Sequence, residues 1–450
     1  MLGTSLNLSI ARILHHSQKD DVDFSVVKLE AMKHDFSEAI RRFGDFNLYK
    51  SCKQKIENIQ TSEQLLEEIS KLKFTLKERG VDLTSIDLYS SFVKKCLSAS
   101  KESCKKTYTE LQDNFDIITN NKQSMMFSSV QKFDDNGNVV PLFQKDEHGG
   151  IESFTDKQGV QRYKLNDAVI DWSEANKFYQ FIKLNNFKVH GHTILWHVAE
   201  PYQIKELAKS DLSPEIKNKM AQDFLYGYMQ SFYQNIKDNG IQMESIDILN
   251  EIANDEQSED FLRKSSWRDL MGDTYYIDVL KMAKQIFPSE VKLMYNDFNE
   301  FIPEKRKNIL KVIDSIKKVE NEEGIQLVDA IGLQCHLYGQ ALDYEKAFDE
   351  ISNITKTGLF QQEVRITELD SAPCNNPEWQ QGQMKQVLQV AKSHGVTNIG
   401  CWNATEQFSD SIDNSKNSGL IDINGNKSQL ANKVIDVYSD KGKDSSLRRE

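Results

Sequence analysis

From Ala168 onward, short runs of apolar and β-branched residues recur along the chain, and between them apolar positions return every three or four residues. The runs at 187–194, 243–249, 291–295, 330–334, 363–367 and 397–402 predict strands. The intervals predict amphipathic helices near 214–237, 274–286 and 304–319, the first opened by Ser213 as the capping residue with Pro214 in the first helical position. Strand and helix in regular alternation predict a parallel sheet. Two further strand candidates, at 2–6 and 114–119, bring the set to the eight that close an α/β fold of the (β/α)8 TIM barrel type.

Two stretches break this alternation. Residues 10–113 are polar, lysine-rich and helical in pattern, with SEQLLEEISKLKFTLKERG the clearest amphipathic stretch. They are too long for one barrel helix and predict an inserted helical subdomain after the first strand. A second excursion at about 131–163, after the second strand, carries the turn signals DDNGN and TDKQG between β-formers and predicts one or two hairpins. The barrel domain is thus expected to span 1–440, with 441–450 as a charged tail.

A formal net charge of −12 repels phosphate backbones and anionic lipid, so neither nucleic acid nor a membrane surface is an expected partner. The six cysteines show no CxxC or zinc spacing and read as buried free thiols. No run reaches the roughly 18 apolar residues that span a bilayer, and no basic segment precedes the first apolar stretch. The expectation is a protein that stays in the cytoplasm, leaves without a cleaved leader, or has already lost one.

In a parallel barrel the working side chains stand at the C-terminal ends of the strands. Here those ends carry His192, Trp196 and His197, then Asn250 and Glu251, then Asn296 and Asp297, then Gln334 and His336, then Glu368 and Asp370, and last Trp402. Each has a plain structural reading when taken singly. A glutamate after a strand can serve the next helix N-terminus, Trp196 and His197 can be a packed pair, and Asp297 and Asp370 can cap backbone groups. Gln334 and His336, two apart, share one face of an extended strand. Six consecutive strand ends of this kind together point to chemistry. Two glutamates three strands apart face one another across a barrel mouth, the arrangement that acetal hydrolysis requires: one acid for the leaving oxygen and one carboxylate for the anomeric carbon. Without GxGxxG, P-loop or metal-spaced histidines, no cofactor and no metal are expected.

The segments HGHTILWH, IDILNE, YNDFN, IGLQCH, ITELD and CW, in this order, resemble glycoside hydrolase family 10, whose best-known members are endo-1,4-β-xylanases. The similarity runs from about Leu111 to GLIDINGNKSQLANKVID, with LGTSLN as a first strand. It implies Glu251 as acid/base and Glu368 as nucleophile, about 5 to 5.5 Å apart as in retaining enzymes. It further implies that Asn250 binds the 2-hydroxyl of the sugar and that His336, held by Asp370, orients Glu368. His192, Gln334, Trp196 and Trp402 would line the same subsite, with His197, Asn296 and Asp297 in support. The implied partner is a polysaccharide, xylan or a related β-glycan.

The sequence departs from that family where the sugars on the non-reducing side are gripped. The family's T-x-E-N-x-M-K run reads Thr119, Asn120, Asn121, Lys122, Gln123, Ser124, Met125 here. Ala199 replaces a glutamine after the WH pair, Asp410 a tryptophan, and Phe298 the tyrosine of NDYN. Three functions follow from these observations: an active β-glycanase with an altered non-reducing-side subsite, a glycan-binding protein derived from such an enzyme with little turnover, or an interaction protein whose helical insert binds a protein partner.

Overall fold

Parallel strands followed by helices carry the regular part of the chain in the computed structural model, which describes residues 2–5, 8–42, 46–78, 84–120, 126–134, 136–256, 260–337, 342–371, 377–402, 421–422, 424–428, 431–432 and 437. They fall in two compact units, one made of Met1–Asp116, Cys335–Asp349 and Ile366–Glu450, the other of Ile117–Gln334 and Glu350–Arg365.

In the unit that begins at Ile117, the strands Ile117–Asn120, Lys188–Gly191, Met243–Asn250, Lys292–Asp297 and Ala330–Leu333 lie side by side in chain order, all parallel. Every residue of Met243–Asn250 except Glu244 is buried. Burial on both faces is why this strand reads as an almost unbroken apolar run instead of an alternation. The helix Pro214–Asp238 starts where its cap predicts: Ser213 Oγ accepts the Ile216 N–H and Pro214 occupies the first turn. Its buried stripe is Phe224, Tyr228, Met229, Phe232 and Ile236. The helix Pro303–Glu323 stops at Gly324, whose φ of 66° is the left-handed conformation that closes a helix C-terminus.

The excursion between the second and third strands is a nest of antiparallel pairings. Val130 pairs with Ile170, Phe133 with Val139, Phe143 with Leu165 and Lys145 with Ile151, and Ser153–Thr155 pairs with Gln161–Tyr163. Its three tight turns repeat one device: Asp134, Asp146 and Asp156 each accept the backbone N–H groups two and four residues on, and a glycine with φ between 81° and 86° follows at the third position. Arg162 fastens the nest to the Pro214 helix, bonding Asp156 at 2.9 Å and Asp223 at 3.1 Å with all three side chains buried. Asp223 also accepts the Tyr163 N–H, and Gln203 Nε2 donates to the carbonyls of Gln131 and Val140.

In the other unit, Leu2–Ser5 pairs with Ile399–Cys401, which pairs in turn with Glu363–Ser371, again parallel throughout. Gly400 is required here, because a Cβ would stand 2.2 Å from the Thr367 carbonyl oxygen. The described residues between 8 and 114 form six helices that pack on one another about the helix Phe24–Arg42. Two lysines of that helix reach the carbonyl ends of others, Lys28 to Leu97 and Ala99 and Lys33 to Ile59. The apolar stripes of this segment, Ile13, Leu14, Met32, Phe36, Leu65, Ile69, Val93 and Cys96 among them, are buried. Cys104, Cys335 and Cys401 are buried as well, and Cys52 is half-buried. Among the described residues no helix is long and apolar enough to cross a membrane.

Several boundaries differ from the expectation. The strand expected to start at Asn114 begins at Ile117, because the helix Lys101–Asn114 runs through that position. The strand expected to run to Ile194 stops at Gly191, and Leu195–Trp196 forms a separate short pairing with Leu249 and Asn250. The strand expected to end at Thr367 continues past an irregularity between Ile366 and Leu369 to Ser371, so Glu368 and Asp370 lie within it. Cys335, with φ of 54°, breaks the chain between Gln334 and His336, so the two do not share one strand face. Residues 121–125, Asp410 and the tail at 441–450 lie outside the described residues.

Candidate active site

In the Ile117–Gln334 unit, Glu251 follows the last residue of Met243–Asn250 with a φ of 55°, a left-handed conformation that costs a non-glycine residue of order 1 kcal/mol. Two bonds hold it there: its N–H donates to the Asn296 carbonyl and its carbonyl accepts from Arg263 Nε, both at 2.9 Å. Its carboxylate receives three donors: Trp196 Nε1 at 2.8 Å on one oxygen, and Gln334 Nε2 at 3.1 Å and Asn250 Nδ2 at 3.3 Å on the other. Asn296 Nδ2 donates to Asn250 Oδ1 at 3.0 Å and thereby sets which face of that amide is presented. Trp196, Asn250, Glu251, Asn296 and Gln334 are therefore one hydrogen-bonded cluster.

Asp297 supports this cluster from below. Its carboxylate accepts from Tyr295 OH, Ala253 N–H and Phe298 N–H and pairs with Lys305 Nζ at 2.8 Å, with both charged side chains buried. Lys305 also donates to the Ala253 carbonyl and pairs with Asp255. The ring of Phe298 lies between Lys305 Nζ, 4.6 Å from its centroid, and the Arg263 guanidinium, 5.7 Å away. His197 packs edge-on to Trp196, and burial together with the Arg263 charge pushes its pKa down to about 4. His192 lies deeper: its Nδ1 is 2.7 Å from Asp247 Oδ2.

In the other unit, His336 stands between two carboxylates, with Nδ1 2.5 Å from Asp370 Oδ1 and Nε2 3.2 Å from Glu368 Oε2. A carboxylate oxygen accepts, so both ring nitrogens carry protons and the ring is an imidazolium. Burial alone would lower the pKa of His336, yet Asp370 and Glu368 together hold it well above the ordinary histidine value. The register that pairs His336 with Asp370 along the sheet makes this contact. Trp402 meets the same ring edge-on at 6.2 Å between centroids, and its N–H donates to the Leu369 carbonyl.

All twelve residues expected from the sequence are thus placed in two groups, one around Glu251 and one around Glu368. Reading the strand ends alone missed Asp247, His190, Arg263 and Lys305. Asp247 carried a visible signal, a single carboxylate inside the apolar run IDILN, where only a paired charge is tolerated. Two groups among the described residues hold three donors fit for a metal: the buried His190, His192 and Asp247, and the more exposed Glu345, Asp349 and His394.

Parallel strands alternating with helices, with carboxylates, amides, imidazoles and indoles at or near their C-terminal ends, define a protein of the βα class. The glycosyl hydrolase family 10 profile matches residues 93–437, and the chain belongs to this family, whose fold is the (β/α)8 barrel. An endo-1,4-beta-xylanase A of Thermotoga maritima is 29% identical over 267 residues, which cover 56% of this chain and 23% of that protein. A beta-1,4-xylanase of Dictyoglomus thermophilum is 24% identical over 256 residues, 53% of this chain and 66% of that protein. The chain thus spans about a quarter of the first relative's length. The crystal structure of xylanase 10B from Thermotoga petrophila in complex with xylobiose superposes with a TM-score of 0.54 over 75% of this chain and 89% of that one, at 20% identity, a likeness of fold.

Proposed function

We propose that the protein is a retaining, endo-acting β-glycanase of the endo-1,4-β-xylanase type. Glu368 attacks the anomeric carbon while Glu251 gives its proton to the departing glycosidic oxygen; water then displaces Glu368 from the glycosyl-enzyme, yielding its own proton to Glu251. The observation that carries this reading is His336 standing between Asp370 and Glu368, with its ring nitrogen on Glu368 Oε2 aiming that carboxylate as a nucleophile must be aimed. Asn250, fixed by Asn296, serves the 2-hydroxyl contact. His192, Trp196, Gln334 and Trp402 contact the same sugar.

Family membership supports a glycosidic substrate, and the names of the relatives support xylan. The substitutions at Asn121, Lys122 and Met125, with Ala199 and Asp410, support an altered grip on the non-reducing side, where lost polar partners change discrimination by orders of magnitude. We read residues 10–113 as an insertion into the barrel and 131–163 as an added wall.

Incubation with a mechanism-based 2-fluoro xyloside, followed by peptide mass spectrometry, tests the reading. An adduct on Glu368 supports it. No adduct and no turnover on xylan or other β-glycans at any pH would make the chain a glycan-binding relative instead. Product analysis with ordinary xylanase subsite preference would remove the altered grip.

A further inference from the structure

His190, His192 and Asp247 share protons at the base of the Glu251 cluster. All three are buried, Asp247 completely. His192 Nδ1 at 2.7 Å and His190 Nε2 at 3.0 Å converge on the same oxygen, Asp247 Oδ2, while Oδ1 has no hydrogen-bond partner among the described residues. An ionised carboxylate only accepts, so each of these two ring nitrogens carries its proton. For His192 this puts the proton on Nδ1 and leaves Nε2 as the accepting nitrogen.

The second imidazole is fixed from its far side. The sheet register sets His190 opposite Ser245, and its Nδ1 lies 2.8 Å from Ser245 Oγ. Ser245 is approached by Arg365 Nη1 at 3.4 Å, and that guanidinium grips Glu244 with two bonds of 2.7 and 2.8 Å. A chain of contacts therefore runs from the Arg365–Glu244 ion pair through Ser245 and His190 to Asp247 and ends on His192.

We propose that His190 is a positioning residue for the sugar-contacting imidazole: acting through Asp247, it locks the proton of His192 on Nδ1. Without His190, Asp247 keeps only the His192 donor. A carboxylate with no exposure, one oxygen bare and a single remaining donor takes up a proton. The resulting acid donates to His192 Nδ1, the ring proton moves to Nε2, and the nitrogen on the far side of the ring changes from acceptor to donor. With His190 in place the carboxylate stays charged; burial opposes this, but the two imidazoles hold the Asp247 pKa down to about 2. The contacts of 2.7 and 3.0 Å are ordinary hydrogen-bond lengths.

The proposal rests on the reading of His192 as a sugar contact, but its test does not need turnover. Two-bond nitrogen–proton correlation spectra of the 15N-labelled full chain report the tautomer of each histidine, with the His192 signals assigned by their loss in His192→Gln. The wild-type chain and His190→Gln, whose amide still donates to Asp247, are expected to show His192 protonated on Nδ1. His190→Leu is expected to move that proton to Nε2 and to lower kcat/KM on xylan by roughly 10- to 100-fold, with His190→Gln recovering most of the loss. Should the leucine variant fail to fold, His190→Asn, whose shorter amide meets Ser245 but not Asp247, takes its place with the same expectation. A His192 tautomer unchanged in the variant that has lost the Asp247 contact overturns the proposal, whether or not the chain cleaves a glycan. If the tautomer moves but the wild-type chain has no activity on any glycan, the glycanase reading fails while the positioning role stands.

Discussion

Replacing Asp370 by asparagine separates charge from shape in the group around Glu368. The amide oxygen can accept the same Nδ1–H that Asp370 accepts at 2.5 Å, so the ring of His336 keeps its place while one of its two counter-charges is removed. A hydrogen bond to a charged group contributes about 1.5 to 3 kcal/mol and a neutral one about 0.5 to 1.5, so the exchange loses about 1 to 2 kcal/mol of hold on the imidazolium. If that hold is passed to Glu368 in the transition state, kcat/KM falls by about 5- to 30-fold. The pH dependence carries the sharper sign. His336 is raised above its unfolded value, so its contribution is complete below about pH 6.5 and is lost only as the pH climbs through the elevated folded value. In Asp370→Asn that loss begins nearer neutrality, and the alkaline limb of the pH–rate profile and of the melting temperature both move down. The assay is kcat/KM on an aryl xylobioside, with thermal unfolding in parallel, from about pH 5 to 9. A variant with a wild-type alkaline limb and kcat/KM within about twofold of the parent would refute the imidazolium and, with it, the orientation of Glu368 by His336.

Three further outcomes are expected. Glu251→Gln, whose single amide oxygen can accept from Trp196 or from Gln334 but not from both, should lower turnover of xylan by about 10²-fold or more yet spare the first step on an aryl glycoside with an activated leaving group; equal losses on both substrates, measured by burst kinetics, would take the acid role from Glu251. Lys305→Met leaves Asp297 buried without its cation and should cost about 3 to 5 kcal/mol in denaturant unfolding, where a loss below about 1 kcal/mol would show that Tyr295 and the Ala253 amide suffice. Asp247 and Glu244 are both held down to about 2, so the stability they confer is present above their unfolded values near 4 and disappears as the pH falls toward 2. For Asp247 this is about 2 kcal/mol, read as a steeper acid limb in the wild-type chain than in Asp247→Asn.

Much of the site was legible in the sequence because a parallel barrel ties function to one kind of position. Once the apolar runs marked the strands, the residues after them became the candidates; Glu251 and Trp402 do follow a strand, whereas Asn250 closes one, His336 opens a short one and Glu368 lies inside one. What the rule could not supply was the partner of each. Trp196 bonds Glu251 across 55 positions, Gln334 reaches the same carboxylate across 83, and Arg365 grips Glu244 across 121. Asp247 and His190 lie inside strands, where periodicity marks them only as misplaced polar residues.

Local pattern settled what is local: the strands and helices, the cap at Ser213, the Asp-led turns and the order of the motifs. Tertiary structure decided how protons are shared: that one oxygen of Asp247 serves two histidines, that His336 is charged, that Glu251 takes a left-handed backbone and three donors. The reason is that periodicity and capping are set by neighbours a few residues away, while charge state depends on burial and on which distant groups the sheet register brings to within about 3 Å.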